Sequence, residues 1–473
     1  YKMTKLTKIL KDKVLGAQIA IYSNGKNFNY NYGMRSLNEN EVVNDETIFR
    51  IASISKTVVA MAALKLMEEN ELDINDDISN IFGFKIRNPK FPNSIITTKM
   101  LMLHTSSILD GYDDEDLSHN GIEKGYNGVN GKKYYVSLED LLLNKNSKYY
   151  SDKTFGNYKP GTKFNYSNFG TGILACIVEV VSGRLFTEYV ETEIFKPLNI
   201  DASFIAKNLN KNNNISDTFY YDEKEQVFKT NKTSDYFLNA SYPPHPLGTN
   251  FRGPAGGLYI SMKDLSKIMK TLMHDGAYKG IRILKKETVD LMLQMHYLGD
   301  NKTYLAKGLQ LKFIDYIDNV MLKGHTGNAY GVRSFMFFSK EHDFGVCFIL
   351  NGGRYQMYKP DLIDIFYDVL KYTQDLFFKP KKRIVTINNN EVSLNNRKIV
   401  LNNYKITNNV LCLSLIDLAN ILDVIPKIEK NAYEIKGVKF DINDNLINLE
   451  QTLKKLKISY TKNNNNYIIN LNS

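Results

Sequence analysis

The period of the apolar positions changes several times along the chain, and each change marks an element. Gln18 to Ser23 and Asn27 to Tyr32 read as two short strands around Asn24-Gly25, a dipeptide suited to a tight hairpin turn. From Ser55 the spacing becomes helical, with Val58, Val59, Ala62, Ala63, Leu66 and Met67 recurring before Asn70. A second helix is predicted from about Gly170 to Val181, ending at Ser182-Gly183, where glycine suits a left-handed cap. Further helices are predicted near Met262 to Met273 and Lys286 to Met295. Val332 to Phe338 and Phe344 to Leu350 read as adjacent buried strands joined by a polar turn, Ser339 to Asp343. Strands, a helical middle and strands again predict an α+β unit whose sequence-distant strands share one sheet covered by helices.

Past Lys379-Pro380 the pattern changes. Long helices give way to β-prone runs such as Arg383 to Ile387 and Lys398 to Leu401, with one helix expected near Leu413 to Leu422 and asparagine clusters at turns. Residues 1–379 are therefore expected to form one domain and residues 380–473 a small β-rich second one. A chain of 473 residues with 43% hydrophobic content can bury a large core. The net charge of +10 favours an anionic neighbourhood. No basic run exceeds Lys381-Lys382-Arg383 and none is interleaved with aromatics, which argues against nucleic acid as a partner. Cys176, Cys347 and Cys412 are scattered within apolar segments, so they read as core residues and define neither a disulfide framework nor a metal site. The chain starts at Tyr1 and holds no run of about 18 apolar residues, so any signal or membrane or wall anchor is expected outside the given sequence.

Three short motifs carry candidate chemistry. Ser53-Ile54-Ser55-Lys56 puts a serine at the mouth of an apolar helix and a lysine one turn later on the same face. A serine hydroxyl is a weak nucleophile until a neighbour accepts its proton, and a desolvated lysine can do so. The same spacing at Ser23 and Ser459 falls on a hairpin and a polar tail. In Tyr166-Ser167-Asn168, side chains two apart can face one cavity, the phenol as a base and the carboxamide as a holder of both a substrate carbonyl and the lysine. His325-Thr326-Gly327-Asn328 precedes a strand, where Gly327 would let a substrate backbone approach. Taken singly, each also reads as ordinary structure: a capping serine, a tyrosine packed on a turn, a glycine turn.

Together, in this order and at these separations, the motifs resemble those of the serine β-lactamase and penicillin-binding protein family, the group of class C β-lactamases, DD-peptidases and D-alanyl esterases. Phe49 to Ser53, Leu101 to Ser106, Pro160 to Asn168 and Gly253 to Leu258 also look like family text, so the likeness spans roughly residues 15 to 352. It implies an antiparallel sheet flanked by helices with an all-helical subdomain. It also implies that Ser53 attacks the carbonyl, Lys56 and Tyr166 relay its proton, and Asn168 orients substrate. His325, Thr326 and Gly327 match the third motif, and the N–H groups of Ser53 and Asn328 would form the oxyanion hole. No cofactor or metal is required. Two positions depart from the pattern: His325 stands where many β-lactamases have lysine, and Ser107 where the family often has glycine. The histidine is similar to some DD-peptidases and esterases. The implied substrates are D-alanyl groups of the cell envelope, on peptidoglycan stems or teichoic acid, at the surface of a Gram-positive-type bacterium. A β-lactamase is the alternative within the class, and a catalytically idle penicillin sensor or wall-binding protein the alternative outside it. The C-terminal segment resembles small surface modules such as the one named after copper amine oxidase N-termini, and is expected to be a stalk or wall-contacting module.

Overall fold

The computed structural model describes residues 4–38, 41–111, 125–129, 136–240, 242–299, 306–360, 362–442 and 446–472. All the candidate site residues lie within these ranges. The hairpin around Asn24-Gly25 forms as β1 (Gly16–Ser23) and β2 (Lys26–Gly33). The apolar helix is α1 (Ser55–Glu68), and the second is α2 (Asn168–Ser182), which ends at Gly183 with φ 70°. Next come α3 (Met262–Met273) and α4 (Lys286–Leu293), the latter two residues shorter than its apolar pattern. A run of strands follows: β3 (Tyr297–Leu298), β4 (Ala306–Gly308), β5 (Leu311–Ile314), β6 (Leu322–Ala329), β7 (Val332–Ser339) and β8 (Phe344–Leu350).

These strands join β1 and β2 in one eight-stranded sheet of order β2-β1-β8-β7-β6-β5-β4-β3, antiparallel throughout. Strand side chains alternate between faces. Phe335 and Phe337 of β7 and Val346, Phe348 and Leu350 of β8 therefore face one apolar layer, which they share with Leu6, Leu10 and the helix α5 (Asp364–Phe377). Met336, Phe338, Cys347 and Ile349 face the other, shared with α1, α2 and α3. Covering on both faces explains why β8 is an unbroken apolar run.

The C-terminal region is β-rich. Strands β9 (Ile384–Asn388), β10 (Glu391–Leu394) and β11 (Arg397–Ile399) form a sheet with β12 (Tyr460–Asn463) and β13 (Asn466–Asn470), in the order β11-β10-β9-β13-β12. Its helix Leu415–Leu422 lies where the pattern places one, and a second helix, Leu449–Lys455, has no counterpart in the sequence reading. The region has its own apolar cluster, including Val385, Leu418, Ile421, Leu449 and Ile469, while Ala419 belongs to the core around α1 and α2. Cys176 and Cys347 are buried as expected, but Cys412 is half-buried: on the strand Val410–Leu413 it shares the outer face with Val410, while Leu411 and Leu413 turn into the core.

Candidate active site

Ser53 lies in a short 3-10 turn, Ala52–Ile54, that runs directly into α1, whose start carries no side-chain cap bond. Several bonds hold this turn. The Ile51 N–H donates to the Leu258 carbonyl at 2.9 Å, and the Leu258 N–H donates to Ser55 Oγ at 3.0 Å. Ser55 Oγ donates to the Ala52 carbonyl at 2.6 Å, and Ser334 Oγ of β7 donates to the Ile51 carbonyl at 2.8 Å. The reason for this scaffolding is Ala52, whose φ of 58° is left-handed. That conformation costs a residue with a Cβ roughly 1–2 kcal/mol.

Strand β6 presses against the same turn. A Cβ on Gly327 would lie 2.5 Å from the Ile51 carbonyl oxygen and 2.3 Å from Ser334 Oγ. Glycine is therefore required here to let the strand lie against the Ser53 turn, a reason separate from the substrate approach expected from sequence.

Lys56 is wholly buried. Its Nζ donates to Ser53 Oγ at 3.0 Å and to the Ala255 carbonyl at 2.5 Å, as the one-turn spacing predicts for the serine. Burial lowers the lysine pKa to about 7; Asp110 opposes the shift and Arg50 adds to it. The ammonium also lies 4.9 Å from the centre of the Tyr166 ring. That ring packs on His104 with centroids 4.5 Å apart, and His104 Nδ1 accepts the Ser167 N–H at 3.1 Å.

Asn168 opens α2, but its amide does not reach Lys56. Asn168 Nδ2 donates to Asp110 at 2.9 Å, and the N–H groups of Asn168 and Phe169 donate to the same carboxylate at 3.2 and 2.8 Å. The first N–H groups of a helix lack intrahelical acceptors, and a carboxylate there gains both charge-assisted bonds and the helix dipole. The carboxamide is thus oriented by its Nδ2 on Asp110, which is the helix-end anion.

His325 Nδ1 lies 2.7 Å from the Thr326 carbonyl oxygen. A carbonyl only accepts, so Nδ1 carries the proton and Nε2 is left as an acceptor. Burial, reinforced by Lys56, lowers the imidazole pKa to about 3, so this motif presents a neutral ring where a lysine would present a charge. The other departure also has a geometric account. Ser107 has φ 67°, the region glycine enters freely, and its Oγ accepts from Asn88 Nδ2 at 3.1 Å while its carbonyl accepts the Gly156 N–H at 2.9 Å.

Ser53, Tyr166, Asn168, His325, Thr326, Gly327 and Asn328 line one cavity of about 410 Å³, with Lys56 bonded behind Ser53. Lys307, Lys312 and Arg333 also line it, with no Asp or Glu among the described lining residues. His104, the three cations, the Ala255 carbonyl and Asp110 were not assigned as site residues from sequence. The Ala255 carbonyl lies in the stretch Gly253 to Leu258, given above only as family text. Asp110 leads into an acidic stretch, Asp113 to Asp116, and nothing in the sequence distinguishes it from its neighbours.

A family model described as Beta-lactamase matches residues 4–365. The chain belongs to this family. Its members are serine hydrolases, and the chain is an enzyme of that kind. Among curated relatives, Protein flp of Staphylococcus aureus (strain MRSA252) is 30% identical over 42% of this chain and 37% of its own length. Teichoic acid D-alanine hydrolase of Staphylococcus aureus is 26% identical over 57% of each chain. The chain thus matches well under two thirds of these relatives' lengths. Among solved structures, the octameric penicillin-binding protein homologue from Pyrococcus abyssi superposes with TM-score 0.59 at 20% identity over 99% of both chains. A class C beta-lactamase superposes with TM-score 0.55 at 16% identity, covering 80% of this chain and 99% of its own. These two likenesses establish the β-lactamase and penicillin-binding protein fold, and the first extends through the C-terminal region.

Proposed function

We infer that the chain is an acyl-transfer hydrolase of D-alanyl groups in the bacterial cell envelope, cleaving D-Ala esters of teichoic acid or the terminal D-Ala of peptidoglycan stems. The observation that carries this reading is the bond from a wholly buried Lys56, near neutrality in pKa, to Ser53 Oγ. In the proposed reaction Ser53 Oγ attacks the carbonyl carbon and gives up its proton to the Lys56 and Tyr166 pair. The oxyanion is held by the N–H groups of Ser53 and Asn328. The intermediate collapses to an ester on Ser53, and the leaving alcohol or amine takes the proton back. Water, activated by Tyr166, then attacks the ester and releases D-Ala or the shortened acid. Asn168 and the His325-Thr326-Gly327 strand orient the substrate.

Two further observations support the choice of substrate. The cations Lys307, Lys312 and Arg333 around the cavity suit an acyl donor attached to an anionic polymer. A relative of similar sequence is named teichoic acid D-alanine hydrolase. The reading places the protein at the cell surface.

Time-resolved intact-protein mass with a fluorescent penicillin and with a D-alanyl ester, comparing wild type and Ser53→Ala, tests it. A persistent penicillin adduct or rapid ester turnover, absent from the variant, is expected. Rapid penicillin hydrolysis would instead make the chain a β-lactamase, and a folded wild type that neither reagent modifies would make it an idle scaffold.

A further inference from the structure

The C-terminal region meets the catalytic part at several contacts, Arg397 with Glu341 and the Lys398 N–H with Asp290 among them; one lies at a short stretch, Leu293 to Met295, which leaves the end of α4 and enters β3. Two carboxamides clasp it reciprocally. Gln294 Nε2 donates to the Val400 carbonyl at 2.7 Å while Gln294 Oε1 accepts the Val400 N–H at 2.9 Å. One residue on, the Met295 N–H donates to Asn420 Oδ1 at 2.8 Å, and Asn420 Nδ2 donates back to the Met295 carbonyl at 3.0 Å. Gln294 and Asn420 are both buried. A side-chain amide that uses both its donor and its acceptor on one residue's backbone copies the pairing of a neighbouring strand, so each clasp fixes backbone position. The other side of the stretch is gripped by the catalytic sheet, where Lys323 Nζ donates to the Leu293 carbonyl at 2.7 Å. Lys323 lies two residues before His325 on β6, on the same face.

The chain then continues straight to the site. The His296 N–H donates to the carbonyl of Lys307 at 2.8 Å, and Tyr297 pairs with Lys307, which lines the cavity. The Tyr297 hydroxyl accepts the Phe164 N–H at 3.2 Å. Phe164 also lines the cavity and lies two residues before Tyr166; its ring meets His104 edge-on at 5.6 Å, and His104 in turn packs on Tyr166.

We propose that the C-terminal region is a working part of the active site, positioning the Phe164 to Tyr166 loop through the Asn420 and Gln294 clasps and the Tyr297 hydroxyl. Asn420, Gln294 and Tyr297 are positioning residues: none of them lines the cavity. The kinetic part of the proposal rests on acylation of Ser53, whereas its structural part does not.

Hydrogen exchange and acylation kinetics on the full chain test it with Asn420→Ala and Tyr297→Phe. In Asn420→Ala, exchange is expected to quicken about tenfold in peptides covering 294–298 and also in those covering 162–168, while α1 keeps its protection. In Tyr297→Phe, which removes one hydroxyl and leaves both clasps, maximal acylation is expected to slow about fivefold with KM unchanged, the scale of one lost hydrogen bond. Loosening of 294–298 with unchanged exchange at 162–168 would overturn the proposal, as would Tyr297→Phe acylating at the wild-type rate. Should Asn420→Ala fail to fold by circular dichroism, Tyr297→Phe decides, by exchange at 162–168 as well as by rate. If wild type forms no acyl-enzyme with any donor, the acylation reading fails and the exchange comparison still tests the coupling.

Discussion

The molecule buries a lysine behind Ser53 and another at the junction with its C-terminal region, and their surroundings differ. Lys56 bonds a hydroxyl and a carbonyl, with no carboxylate among its described hydrogen-bond partners, and burial lowers it to about 7. Lys323 bonds the Leu293 carbonyl, lies 4.9 Å from the Phe313 ring centre and is lowered to about 8 by burial, with Arg397 adding and Glu341 and Asp423 opposing. Beside it Arg397 Nε donates to Glu341 at 2.6 Å, and Arg383 pairs with Asp423 at 2.9 Å. Burial alone would raise the Glu341 carboxyl, but Arg397 and then Lys323 pull it below the ordinary value. Depression of a lysine pKa is thus common to both places. Contact with a serine hydroxyl in a cavity is what makes Lys56 a candidate catalyst, whereas the junction uses similar groups to hold two parts together.

Removing each feature in turn separates these roles. Lys56→Ala takes away the proton acceptor and is expected to slow acylation on the order of 1000-fold or more, read as growth of the Ser53 adduct by mass; Lys323→Met should stay within a fewfold of wild type. Next in size, Glu341→Gln removes the nearer carboxylate of the buried Arg397 and leaves only Asp423 at 4.0 Å among its described ion pairs, and urea unfolding should show a loss of about 3 kcal/mol with no change in the pH profile of acylation. Tyr166→Phe should leave binding of an acyl donor largely intact and slow acylation on the order of 100-fold, in stopped-flow fluorescence. The smallest effect is a shift in pH. The neutral amine is the accepting form, so the acylation rate should rise with pH through about 7. Asp110 raises the Lys56 pKa, so Asp110→Asn should move that rise to lower pH; a shift to higher pH would remove Asp110 from the electrostatics of the site.

Much of the catalytic half was legible in the sequence because its signals are local. Phe344–Leu350 matches its apolar run residue for residue, and Ser53 and Lys56 are three apart on adjoining helical turns, so their contact follows from spacing. What escaped depends on distant pairing. Asp110 matters because the chain returns to it at the start of α2, and Gln294 and Asn420 are ordinary amides until the fold sets them against the backbones of Val400 and Met295. The helix Leu449–Lys455 was missed because its seven residues bury only Leu449, Thr452 and Leu453, too few to define a period.

The order of strands in the main sheet also sets a timetable. β1 is completed by β8, and the Ser53 turn is tied to Leu258 and to Ser334. A growing chain has made Ser53, Lys56 and Tyr166 long before those partners exist. Such long-range pairing folds slowly. The Ser53 turn therefore lacks its ties through most of synthesis, and the cavity it lines is complete only when β8 closes on β1.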